Sequence, residues 1–157
     1  MKRYKLLITN ALLAGLAACT KVDDPFVDRV VAPVLVVIDN AMGDGGGQTG
    51  EPVVSQKVAG PVTLAVKIYE LDKSGILNKA VGIDSIPVTS LAIKLTTRAG
   101  IALGDLTTDK TGRASIAKTW AELGVAAPKA GSSVSLTWTG AYKGQAFSRL
   151  SRVQAIN

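Results

Sequence analysis

Pro61-Val62-Thr63-Leu64-Ala65-Val66-Lys67-Ile68-Tyr69 decides the fold class. Val62, Leu64, Val66 and Ile68 alternate with Thr63, Ala65, Lys67 and Tyr69, the period of two that gives a strand one buried and one open face. The same period recurs on both sides of this segment. Val34–Ile38 is an unbroken aliphatic run of strand length, and Leu91, Ile93 and Leu95 alternate with Ala92, Lys94 and Thr96. Ile101 and Leu103 make a shorter strand, Ala114 and Ile116 another, and Val134, Leu136 and Trp138 restart the pattern. A final strand covers Gln145–Ala155, where Phe147, Leu150 and Val153 are spaced by three, so a bulge is expected there. Arg149 and Arg152 on it read as charges that guard a sheet edge.

The connections carry turn and cap signals. Asp109-Lys110-Thr111-Gly112 is a tight turn, and Gly140 to Gly144 reads as a hairpin loop. Thr119-Trp120-Ala121-Glu122 has the spacing of a capping box, with Gly124 placed to end one helical turn. Asp39 to Gly50 holds five glycines in twelve residues and reads as a flexible loop. Nowhere is there a long helical period. The expected fold is all-β, an antiparallel sandwich of about seven or eight strands with one short helical turn.

Residues 106–116, Leu-Thr-Thr-Asp-Lys-Thr-Gly-Arg-Ala-Ser-Ile, resemble the Thr-Asp-x-x-Gly turn of bacterial Ig-like domains of the invasin/intimin kind. Transthyretin-like sandwiches carry a similar turn. The resemblance implies an Ig-like sandwich in which Asp109 caps the turn and Gly112 takes the left-handed conformation. It extends loosely over Val53 to Val153, without the closing Gly-Tyr-x-Val-Thr-Ala segment and with an extra Gly-rich loop.

A different pattern precedes the sandwich. Lys2, Arg3 and Lys5 open the chain, and an apolar run from Leu6 to Ala18 follows. At about 13 residues this run is shorter than the roughly 20 that a spanning helix needs, and it suits the apolar core of a signal peptide. It closes on Leu16-Ala17-Ala18-Cys19, which resembles the lipobox of bacterial lipoproteins at all four positions. The resemblance implies cleavage before Cys19, with Leu16, Ala17 and Ala18 read by the signal peptidase and acyl chains placed on Cys19. Thr20-Lys21-Val22-Asp23-Asp24-Pro25 resembles the Lys-plus-acid signals that carry Bacteroidota lipoproteins to the cell surface; a periplasm-facing anchor is the alternative. The organisation expected is a signal peptide over 1–18, a lipidated tether over 19–32 and one domain over 33–157, its Gly-rich loop at 39–51.

Composition limits the chemistry. With no histidine and one cysteine among 157 residues, imidazole-dependent catalysis, intramolecular disulfides and Cys- or His-based zinc sites are excluded. The acidic residues sit in the tether, in loops or in turns, where they cap and solubilise, and no serine or lysine has a nucleophile context. The expectation is therefore no enzyme and no cofactor. Asp39, Asn40 and Asp44 lack the spacing of a calcium loop, and the Gly-rich stretch lacks the Lys-Ser/Thr ending of a phosphate loop. Three of the 18 basic residues and none of the 12 acidic ones precede Cys19, so the chain after it carries +3 rather than +6. That balance, without basic runs interleaved with aromatics, argues against nucleic acid.

Trp138 is in phase with the core, and Trp120 is placed to pin the short turn. Tyr142 and Lys143, at a hairpin tip, are the candidate ligand contact. The expected role is a lipid-anchored outer-membrane protein serving adhesion, scaffolding or partner binding, with a protein or glycan partner. A glycan-binding accessory of an outer-membrane uptake system is the alternative.

Overall fold

A computed structural model describes residues 32–42 and 50–157. The Leu16-Ala17-Ala18-Cys19 motif, the tether before Ala32 and the centre of the Gly-rich loop lie outside the described residues. Ala32–Asn157 forms one compact unit.

Nine strands follow in order: β1 Leu35–Ile38, β2 Val53–Lys57, β3 Val62–Asp72, β4 Asp84–Pro87, β5 Ala92–Thr97, β6 Ala102–Thr107, β7 Arg113–Lys118, β8 Ser133–Tyr142 and β9 Gln145–Ile156. They build two sheets. In the first, β3 is the central strand. β1 covers one of its edges, and β7 and β4 occupy the other edge in succession, against Val62–Lys67 and Tyr69–Asp72. The second sheet has the order β2-β9-β8-β5-β6, antiparallel except for the parallel β2–β9 pair. The fold is an all-β sandwich, as the alternation predicts.

One core lies between the sheets. Val62, Leu64, Val66 and Ile68 of β3 are buried, and they share it with Ile93 and Leu95 of β5, Leu136 and Trp138 of β8, and Val153 and Ala155 of β9. Each large aliphatic side chain removed from water this way contributes about 2 kcal/mol. Trp138 is buried in the core, and its indole N–H donates to Ser151 Oγ at 2.9 Å.

Several local expectations change. β9 carries no bulge: its register with β8 runs unbroken from Ser133↔Gln154 to Tyr142↔Gln145. Its inward positions are Phe147, Ser151, Val153 and Ala155, while Leu150 is only half-buried. The spacing of three arises because a serine, satisfied by Trp138, takes an inward place. The register shift lies between β5 and β6, at Leu95/Thr96. β9 is flanked by β8 along its length and by β2 over Arg152–Ile156. Arg152 therefore guards no edge and pairs instead with Glu51, whereas Arg149 lies on the part of β9 that β2 does not reach. β8 continues to Tyr142, which shortens the expected hairpin loop to Lys143-Gly144.

At Thr119 the capping-box contacts form without a helix. Thr119 N–H donates to Glu122 Oε2 at 2.7 Å, and Glu122 N–H donates to Thr119 Oγ1 at 3.3 Å. The segment is a single turn ended by Gly124, held because Trp120 is buried and its indole N–H donates to the Lys57 carbonyl at 3.0 Å.

Candidate functional site

Because β1 runs antiparallel to β3 with Leu35 opposite Tyr69, the chain enters the domain at the end of the sandwich where β3 finishes. The β3–β4 connection, residues 73–83, and the β8–β9 turn project at this same end.

Here Tyr142 and Lys143 meet Glu70. Two residues in the left-handed region, Lys143 (φ 49°) and Gly144 (φ 80°), close the hairpin, the backbone that a two-residue connection with right-handed twist requires. The turn brings Tyr142 onto β3: its hydroxyl donates to Glu70 Oε2 at 2.6 Å, while Lys143 Nζ pairs with Glu70 Oε1 and stands 5.2 Å from the Tyr142 ring centroid. The Lys143 ammonium, then the Tyr142 hydroxyl, hold the Glu70 carboxyl below the usual carboxylate range. In return, accepting by Glu70 raises the pKa of both the Tyr142 hydroxyl and the Lys143 ammonium. The three side chains form a clasp between a strand of one sheet and a hairpin of the other. Tyr142 is half-buried with its hydroxyl engaged, and Lys143 remains 65% exposed.

The turn at Asp109–Gly112 joins β6 of the second sheet to β7 of the first. Asp109 Oδ1 accepts from Thr111 N–H (2.8 Å), Thr111 Oγ1 (2.6 Å) and Arg113 N–H (3.0 Å), and these donors lower its pKa, the Thr111 hydroxyl most. Gly112, at φ 74°, sits where β7 gives way to β4 along β3. Its carbonyl accepts from Ile68 N–H at 2.9 Å, and the Ile68 carbonyl accepts from Val88 N–H at 2.9 Å.

Asp39, weighed as a cation ligand, is held by basic side chains. Arg113 Nε lies 3.0 Å from Oδ2 and Lys67 Nζ 3.3 Å from Oδ1, an arrangement that crosses β1, β3 and β7. The Arg113 bond is the chief cause of its lowered pKa. Among the described residues no group of three or more Cys, Asp or Glu side chains could hold a metal ion.

One feature of this end is not signalled by the alternation. The β3–β4 connection carries Ile76, Leu77, Val81 and Ile83, all exposed, with Leu77 at 99%. β4 beside it is exposed along its whole length, Ile86 included. In sequence, Gly75-Ile76-Leu77-Asn78-Lys79-Ala80-Val81-Gly82-Ile83 has neither period, and its apolar content alone does not tell buried from open. No family model, no curated protein and no solved structure matches the chain.

Proposed function

We propose that the protein is a non-catalytic lipoprotein, anchored to the outer membrane by acylated Cys19, whose sandwich is an Ig-like module for adhesion, scaffolding or partner binding. The observation that carries the reading is the placement of the single cysteine directly after Leu16-Ala17-Ala18, at the end of a basic-then-apolar leader. Several acyl chains give a stable attachment where one gives only a marginal one. The strand arrangement supports the Ig-like part: β3 pairs with β7 in one sheet and β9-β8-β5 lie side by side in the other. Glu70, Asp109, Asp39 and Glu122 are each engaged by neighbours within the domain, as structural contacts of turns and strands.

The test is metabolic labelling with a fatty acid, followed by protease treatment of intact cells. Label is expected on the wild-type chain and absent from Cys19→Ala, with the domain cleaved from outside. Label retained by Cys19→Ala overturns the anchor, and a labelled domain that proteolysis of intact cells cannot reach overturns surface display.

A further inference from the structure

The loop at residues 73–83 combines three properties. It is preformed: Ile76 N–H donates to the Lys73 carbonyl (3.1 Å), Asn78 N–H to Gly75 (2.8 Å), and Val81 and Gly82 N–H to Asn78 (3.0 and 2.8 Å). At its base Asp72 Oδ1 accepts from Ser74 N–H, and Asp84 Oδ1 from Ser85 N–H. Gly75 packs so closely on Val81 and Gly82 that a Cβ there would collide with both. With these backbone groups satisfied inside the loop, its tip can leave water without stranding them.

Second, the ordered backbone turns aliphatic side chains outward. Ile76 is 55% exposed, Leu77 99% and Val81 64%, a cluster rather than scattered single residues. Third, the charges suit an anionic surface. Lys73 and Lys79 are exposed and flank the tip, whereas the nearest acids, Asp72 and Asp84, lie at the base, where each accepts a backbone N–H.

The chain's course supplies the occupant. Ala32 leads into β1 at this same end, so the segment from Cys19 joins the domain beside the loop. Thirteen residue steps separate Cys19 from Ala32, a maximum reach of about 45 Å. We propose that the 73–83 loop is a second membrane contact: Ile76, Leu77 and Val81 enter the interfacial layer of a bilayer with anionic headgroups, and Lys73 and Lys79 meet the phosphates. The inference rests on the lipid anchor at Cys19, which keeps the domain near the bilayer, while the loop supplies orientation.

The experiment uses the full mature lipidated chain in phosphatidylcholine vesicles containing phosphatidylglycerol. Flotation with the vesicles establishes the anchor separately. Since acylation occupies Cys19, Leu77→Cys provides a unique thiol for an environment-sensitive fluorophore, and Ala59→Cys provides the control at the opposite end of β3. Quenching of the Leu77→Cys probe by spin-labelled lipid is expected, with an iodide quenching constant about threefold below that of the Ala59→Cys probe. Added Lys73→Glu and Lys79→Glu substitutions should abolish quenching by the spin-labelled lipid. Equal iodide access at both probes in floated chain overturns the loop contact while leaving the anchor intact. Iodide shielding that persists on residues 32–157 in buffer free of lipid and detergent also overturns it, because a second copy then covers the loop. If the chain does not float, the anchor reading fails; the probe on residues 32–157 at millimolar lipid then decides the loop alone, with lipid quenching supporting it and none overturning it.

Discussion

Replacing Gly112 by alanine should destabilise the sandwich by about 2–4 kcal/mol, through two effects that can be measured apart. At φ 74° an alanine bears the left-handed backbone penalty of about 1–2 kcal/mol. The added Cβ would also stand 2.5 Å from the Ile68 carbonyl oxygen and 3.2 Å from the Val88 nitrogen. Neither is a side-chain end that can swing aside. Relief requires moving Gly112 away from β3, which weakens the bonds from Ile68 N–H to Gly112 and from Val88 N–H to Ile68, each worth about 1 kcal/mol. The control is Gly131→Ala. Gly131 has φ 89°, yet a Cβ there meets no atom within 4 Å, so it reports the backbone penalty alone. Urea unfolding of residues 32–157, followed by the fluorescence of buried Trp120 and Trp138, gives both values. A Gly112→Ala cost no larger than that of Gly131→Ala would refute the reasoning, because the close approach to β3 would then carry no energy.

Other consequences are as direct. Ser151→Ala leaves the buried Trp138 indole N–H without its acceptor and should cost about 1–3 kcal/mol in the same urea titration; an unchanged midpoint would show that the pair contributes nothing. Glu122 has its pKa lowered from 4.5 to about 2, by Thr119 N–H first and then by the Thr119 hydroxyl and Lys118. A depressed folded pKa gives stability that is complete above pH 4.5 and disappears as pH falls through about 2, so Glu122→Gln should flatten the acid side of a Tm-against-pH curve. An identical slope in that window would count against it. Tyr142→Phe removes one of the two donors to Glu70, and the Glu70 pKa should rise toward 4.5 in an NMR titration; no movement would mean that Lys143 alone sets it.

The legibility of this fold in its sequence follows the burial of its side chains. β3, β5 and β8 stand out because every second residue faces the core and is apolar, as with Val62, Leu64, Val66 and Ile68. β2 and β4 do not. β2 buries only Val54 among its five residues, and β4 buries none of Asp84–Pro87. Their strand geometry comes from the backbone of a neighbour: β4 from the last residues of β3, β2 from a parallel register with β9. Residues 106–116 were legible for a different reason, since Asp109 and Gly112 perform local backbone chemistry that needs no distant partner to be read.

The candidate site divides along the same line. Tyr142 and Lys143 could be placed at a hairpin tip from their own neighbourhood, but the Glu70 that engages both is 72 residues away from Tyr142, and only the packing of one sheet on the other brings it there. That contact changes what the tip can offer, because the Tyr142 hydroxyl and one lysine hydrogen bond are already used within the protein. The 73–83 loop presents the converse case. Its apolar residues resemble core, yet β3 ends before them and the sandwich is closed without them, so Leu77 is left in solvent. A chain of this size has little reason to keep ordered aliphatic side chains exposed beside two lysines for stability alone. The polar clasp therefore holds this end of the sandwich together, and the adjoining apolar loop is the part of it free to meet something else.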